Sequence, residues 1–205
     1  IVAGPRGING SACGIAYNCD LVTVRAAEDV IFSESREAKG VADAFNMAAN
    51  RADIKIISMS MGYPFYISQV ADAVKNAADH GKLIFCAAGT SSKWTNWAWV
   101  AFPASMPVVN GVTGIQDNLK VRCDICHEGP QVDFVVVMEK GNNKLKVLSL
   151  AMSGVSPSIT GGSSAATASM AGMAAMVWSK FPDKSAVDIL GILKASSVNP
   201  DNNPN

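Results

Sequence analysis

Gly161-Gly162-Ser163-Ser164-Ala165-Ala166-Thr167-Ala168-Ser169-Met170-Ala171-Gly172, running on to Trp178, is the stretch around which the chain is organised. Its two glycines allow a tight turn where the backbone needs positive φ. The Ala- and Met-rich run that follows has no proline before Pro182 and only small polar interruptions. A helix that is apolar all round belongs in a protein centre. A small hydroxyl residue therefore stands where a glycine turn enters a buried helix. Free N–H groups and the positive end of the helix dipole favour developing negative charge there, which suits an acyl-transfer nucleophile. From the stretch alone the other reading is equally open, that Ser163 or Ser164 is simply an N-cap.

The rest of the chain supplies the setting. Its 205 residues are 49% apolar and 17% charged, which describes a compact globular protein with a sizeable core. The length fits a single domain over 1–205. Seventeen basic residues balance seventeen acidic ones, so no electrostatic footprint for nucleic acid or an anionic membrane is present. The run from Ala165 to Trp178 is short for a membrane span and is read as core. No leader is read at Ile1. Five cysteines, an odd number, do not make a disulfide framework and leave the redox compartment open.

In chain order, Ile1 to Gly4 resembles the end of a helix or strand already under way, and Pro5 to Asn18 is a Gly-rich loop. Leu21 to Ala26, rich in β-branched residues, predicts a short buried strand. Val41, Phe45 and Ala48 mark one face of a helix between Glu37 and Asn50. Ile54 to Met59 is the next strand. Ser68 is expected to cap a helix striped by Val70, Val74, Ala77 and Ala78 and stopped by Gly81. Leu83 to Ala87 is a further strand. This alternation argues for an α/β domain with a parallel sheet and helices on both faces, in which sites form at the carboxyl ends of strands. That draws attention to Ser60-Met61-Gly62 and Ala88-Gly89-Thr90. Beyond them, Val108 to Val112 suggests a strand. Val132 to Met138 and Leu145 to Leu150 suggest a hairpin around Gly141-Asn142-Asn143. Gly154 to Gly162 is read as a loop, Ser185 to Lys194 as a last short helix, and Asn199 to Asn205 as a loose tail.

Taken as an ordered set, these pieces resemble the subtilisin-like serine proteases. Ile56-Ile-Ser-Met-Ser-Met-Gly62 is similar to that family's "INMSLG" strand, Leu83-Ile-Phe-Cys-Ala-Ala-Gly89 to its "VVAAAGN" strand, and Gly162-Ser163-Ser164-Ala165-Ala166-Thr167 to its "GTSMAT". Gly14-Ile-Ala-Tyr17 with Leu21 to Arg25, Phe102-Pro103-Ala104, and Gly129-Pro130 with Val132-Asp133 fall in the family's order. The resemblance covers nearly the whole chain. It implies a three-layer fold with a mainly parallel central sheet and helices on both faces, and a peptidase domain lacking its N-terminal portion. It implies peptide hydrolysis through an acyl-enzyme on Ser164 of peptide or protein substrates. The backbones of Ser60, Met61 and Gly62 and of Ala88 and Gly89 would bind substrate, with Phe102 to Ala104 nearby and an uncharged side chain accepted. No cofactor is required; a structural calcium is compatible with the family, but no motif here indicates one. The family resemblance also implies an extracytoplasmic or secreted location.

Departures from the family pattern are equally informative. No Asp motif and no His motif of the triad occurs in 1–205, so both would come from a segment preceding Ile1. His80, ahead of Gly81, and His127, beside Cys126, are read as surface or capping residues. The family's oxyanion Asn is replaced by Thr90, whose hydroxyl is shorter and rotates freely. Loss of an oxyanion donor costs roughly 10²–10³ in rate, so Thr90 points towards weakened or lost activity, and a catalytically inactive, peptide-binding relative is the alternative. Thr90 is equally readable as an ordinary turn residue. Cys123-Asp-Ile-Cys126 is read as structural or as free thiols, with a metal site the lesser alternative because no second CxxC exists. Cys13 and Cys19 are close enough in sequence to bridge, and Cys86 fits a core strand. Trp94, Trp97 and Trp99 suit loop packing better than a ligand platform.

Overall fold

The computed structural model describes residues 1–6, 13–28, 35–91, 99–140, 144–145, 147–150 and 157–198. Its centre is a sheet of four parallel strands, β1 (Ile56–Met59), β2 (Leu83–Ala87), β3 (Asn110–Gln116) and β4 (Val132–Lys140), in that spatial order. A two-residue strand, β5 (Lys144–Leu145), runs antiparallel to β4 at the far edge. The expected hairpin therefore forms only as far as Leu145, while residues 147–150 pair with 157–160 instead; its turn at 141–143 lies outside the described residues.

All five residues of β2 are buried, as a parallel strand covered on both faces should be. Successive side chains of a strand point to opposite faces, and β2 splits accordingly between two cores. Ile84 and Cys86 join helices α1 (Ser35–Ala49) and α2 (Ser68–Asp79) on one face. Leu83 and Phe85 join α3 (Gly162–Lys180) and α4 (Ala186–Ser196) on the other. This is the three-layer α/β arrangement expected, with helices on both faces.

α3 is the long central helix. Ala165, Ala166, Met170, Ala171, Ala174 and Trp178 are buried. Two buried hydroxyls inside it back-bond to the preceding turn, Thr167 to the Ser163 carbonyl (2.8 Å) and Ser169 to the Ala165 carbonyl (2.9 Å), so neither leaves an unpaired donor in the core. α4 begins with a capping box between Ser185 and Asp188, which pairs helix N–H groups that otherwise lack partners.

Several expectations are corrected. Residues 21–26 form no strand, and 21–25 are exposed. A strand needs a hydrogen-bonded neighbour, and none lies beside this segment among the described residues. Ile1 to Gly4 is neither helix nor strand; it is held by backbone bonds from Gly14, Ile15 and Ala16. The N-cap of α2 is Ile67, with no side-chain cap, and Ser68 is already helical. Gly81, at φ 73°, does follow its end. The strand expected from Val108 begins at Asn110 and runs on to Gln116. Ahead of α3, β7 (Pro157–Thr160) pairs with β6 (Val147–Leu150), so the segment read as loop is partly strand. Residues 154–156 and the tail from Asn199 lie outside the described residues.

Phe85 is fully buried and meets Phe134 edge-on, with ring centroids 6.2 Å apart. Phe85→Ala is expected to cost about 3–5 kcal/mol, measured as a lowered urea midpoint at unchanged slope.

Candidate active site

The site is assembled at the first turn of α3 from the carboxyl ends of β1 and β2. The chain leaves β7, passes Gly161 in extended conformation and turns at Gly162, whose φ is +80°. A Cβ at Gly162 would lie 3.2 Å from Thr90 Oγ1. Glycine is thus required both by the backbone angle and by this close approach.

Gly161 is the N-cap and offers no side chain, so neither serine caps the helix. Ser164 is exposed, and its hydroxyl donates to the Ser60 carbonyl at 3.3 Å. The Ser60 hydroxyl donates in return to the Ser164 carbonyl at 2.9 Å. This reciprocal pair ties the end of β1 to the first turn of α3.

Thr90 meets the same turn from β2. Its Oγ1 accepts the Ser163 N–H at 3.1 Å and lies 2.7 Å from Ser163 Oγ. One of the N–H groups that a helix start leaves without an intrahelical partner is therefore capped by a residue 73 positions away. Ser164 and Ser60 are thus brought into contact, and Thr90 is brought to the residue beside Ser164. The Thr90 hydroxyl is not the free rotor expected from sequence. The role of Ser163 had no sequence signal beyond its place next to Ser164.

The remaining predicted substrate-binding residues divide. Met61 is half-buried against the α1–α2 core, and Gly62 precedes Tyr63, which exchanges backbone hydrogen bonds with Phe102 at 2.9 Å each. Phe102 does lie beside this edge, as expected. The backbone of Ala88 and Gly89 is differently engaged. Ala88 donates to Val112 and accepts from Ala101, and the Gly89 carbonyl accepts from His127. Those three groups are paired within the protein, as the Ser60 carbonyl is with Ser164.

His127 corrects another expectation. It is 4% exposed, not a surface residue. Its Nε2 lies 2.9 Å from Ser91 Oγ and its ring stacks at a tilt 4.8 Å from Trp99. Nδ1 faces Gly89, where a Cβ would sit 2.2 Å away, and has no partner at hydrogen-bond geometry among the described residues. Burial holds its pKa below the ordinary value and the nearby Arg122 charge adds to this, while a weak contact to the Trp99 backbone opposes it. Both ring nitrogens are thus turned away from Ser164. His80 bonds Asn76 at the end of α2 and contributes nothing to the site. Trp94 and Trp97 lie outside the described residues.

Cys123 and Cys126 form a disulfide, which excludes the metal reading for this pair. Cys13 and Cys19 are not bridged; Cys86 is a buried core residue. No group of three or more acidic, His or Cys side chains suited to a metal is present among the described residues. The disulfide loop backs directly onto the site. Cys126 bridges Thr90, the Ile125 carbonyl accepts from Ser91, and His127 reaches Gly89.

One further feature borders the site. On its side away from β2, β1 has no neighbouring strand among the described residues. A cavity of about 590 Å³ lies there, lined by Ile57, Met59, Val22, Val24, Phe45 and Trp178 among others. Segment 21–26, exposed over 21–25, contributes to its lining.

Neutral, buried His127 gives a signed pH dependence. Its folded pKa is below the unfolded value of about 6.5, so the unfolded chain takes up the proton first. The contribution is complete above that value and is lost as pH falls through it towards the folded pKa. The urea midpoint should therefore drop between pH 7 and pH 5, and His127→Gln should flatten that drop.

Comparison with known proteins agrees with the geometry. Residues 1–205 match the profile described as the Subtilase family. Subtilisin DY of Bacillus licheniformis is 26% identical over 186 residues, 91% of this chain and 64% of that protein. The major intracellular serine protease of Bacillus subtilis (strain 168) is 35% identical over 83 residues, 40% of this chain and 24% of that protein. A protease of Pseudoalteromonas arctica superposes with a TM-score of 0.76 at 24% identity, over 97% of this chain and 62% of that one. The prenylagaramide maturation protease superposes with a TM-score of 0.75 at 21% identity, over all of this chain and 73% of that one. The chain thus spans a little under two thirds of subtilisin DY.

Proposed function

The chain belongs to the subtilase family, and from that premise we propose that the full-length protein is a serine endopeptidase whose acyl-enzyme forms on Ser164. The observation that carries the reading is the placement of an exposed Ser164 at the first turn of α3, between the ends of β1 and β2. Peptide or protein substrates would extend the backbone edge at Ser60 to Gly62 by strand addition. The scissile carbonyl would then lie against the N–H groups at the start of α3.

Attack by Ser164 requires a base for its proton. That proton is directed at the Ser60 carbonyl, which is not basic enough to take it. His127 is turned to Ser91 and Gly89, and His80 to Asn76. The base and the residue that orients it are therefore assigned to a segment preceding Ile1, carrying the His and the Asp. Two observations support this assignment. The chain covers 64% of subtilisin DY, and among the described residues β1 has an unpaired edge facing a cavity with an extended segment beyond it. A strand placed in that gap, at the usual spacing of about 4.8 Å, would pair with β1 and give residues 21–26 the neighbour they lack.

An extracytoplasmic location is part of the proposal. The Cys123–Cys126 disulfide favours an oxidising compartment. Among the described residues no helix is long and apolar enough to cross a membrane.

The full-length protein should react with a fluorophosphonate probe, and Ser164→Ala should abolish the labelling. Residues 1–205 alone should not label. Failure of the full-length protein to label, with no difference on Ser164→Ala, would instead establish an inert peptide-binding relative.

A further inference from the structure

Thr90 stands where the family carries its oxyanion Asn, and a hydroxyl can serve there only if its single proton is left for the substrate. A hydroxyl has one donor and two acceptor sites. Thr90 Oγ1 accepts the Ser163 N–H and lies 2.7 Å from Ser163 Oγ, where either hydroxyl is placed to donate. The two hydroxyls differ in burial. Ser163 is 1% exposed, whereas Thr90 is exposed. Among the described residues Thr90 Oγ1 is the sole partner of Ser163 Oγ. Were Thr90 the donor, the buried Ser163 proton would have no acceptor, at the full desolvation cost of an unmade bond. With Ser163 as donor no proton is stranded, since that of Thr90 can reach solvent or substrate.

We propose that Ser163 is a positioning residue for catalysis. Its N–H and O–H occupy both acceptor sites of Thr90, fix that hydroxyl's rotor and leave its proton to hydrogen-bond the oxyanion. The inference rests on the serine endopeptidase reading. In acylation the Ser164 Oγ–carbon bond forms as the carbonyl π pair moves onto oxygen; on collapse that pair re-forms the carbonyl, the C–N bond breaks, and the protonated base returns its proton to the leaving amine. The Ser164 proton passes to the His base supplied from before Ile1. The new oxyanion accepts from Thr90 O–H and from Ser164 N–H, and no proton leaves Thr90. Donation by Ser163 also polarises the Thr90 hydroxyl and strengthens its outward bond. Gly162 permits the arrangement, because a larger residue would crowd Thr90 Oγ1.

The test uses steady-state hydrolysis of a peptide amide by the full-length protein. Thr90→Val should lower kcat by about 10²-fold. Ser163→Ala should lower kcat about tenfold, in line with one neutral hydrogen bond, with KM and melting temperature held. Ser163→Thr should restore kcat to within about threefold, and the Ser163→Ala/Thr90→Val double variant should be no slower than Thr90→Val alone. In a Thr90→Asn background, where the amide brings its own donors, Ser163→Ala should be nearly neutral. If Ser163→Ala does not fold, Ser163→Cys, a weak donor of similar size, takes its place. Unchanged kcat in Ser163→Ala, or additive losses in the double variant, would overturn the inference while leaving Ser164-dependent hydrolysis intact. Hydrolysis that persists in Ser164→Ala, or is absent altogether, would overturn the endopeptidase reading and this inference with it.

Discussion

The first turn of α3 is the constraint on which the rest of the molecule depends. A helix start presents N–H groups without partners, and here the preceding residues are glycines that cannot cap them. The turn is instead held from outside. Ser60 at the end of β1 exchanges two hydrogen bonds with Ser164, and Thr90 at the end of β2 caps Ser163. The body of α3 is buried between the sheet and α4, so the turn has little freedom to shift. Helix, sheet and site are therefore fixed by the same few contacts. Ser164 remains exposed above a turn held by these contacts, which is how a functional side chain keeps its geometry.

The sheet explains both the solidity and the openness of the chain. β2 is covered on both faces, and its alternate residues feed two separate cores. β4 has β5 to pair with at one edge. Among the described residues β1 has no such partner on its outer side, and the cavity there is walled by an extended, β-branched segment. Backbone groups along an open edge are a template for another strand. The proposed supply of the His and Asp from before Ile1 and the open edge of β1 are thus one structural statement: the strand that would complete the sheet is the one expected to bring the missing chemistry beside Ser164.

On the opposite side the site is closed by a loop that carries no proposed chemistry. The disulfide between Cys123 and Cys126 tightens this loop, which then bonds Gly89, Thr90 and Ser91 in turn. Gly89, at φ +128°, allows His127 to come closer than any Cβ would permit. The imidazole is buried with its pKa held down, a wedge behind the end of β2 rather than a proton carrier. A histidine and a CxxC, residue types that invite catalytic or metal readings, are here used for support.

The sequence by itself determined the layered α/β fold, the buried helix after the double glycine and the candidacy of Ser164. Those follow from local rules. Apolar periodicity marks covered faces, glycine marks turns, and the ordered pieces from Ile56, Leu83 and Gly162 carry the family likeness. Tertiary structure alone decided how the side chains around Ser164 are used. Residues 21–26 have strand composition but no strand, because pairing depends on a neighbour distant in sequence. Thr90 is held rather than free, and Ser163 is its partner, because two segments 73 residues apart meet at 2.7 Å. His127 is buried because the disulfide loop packs it against Gly89 and its ring meets Trp99. The Ala88 N–H and carbonyl and the Gly89 carbonyl are paired with Val112, Ala101 and His127. In each case the deciding quantity is a hydrogen bond or a contact between distant segments, and composition and spacing carry no record of which donor finds which acceptor.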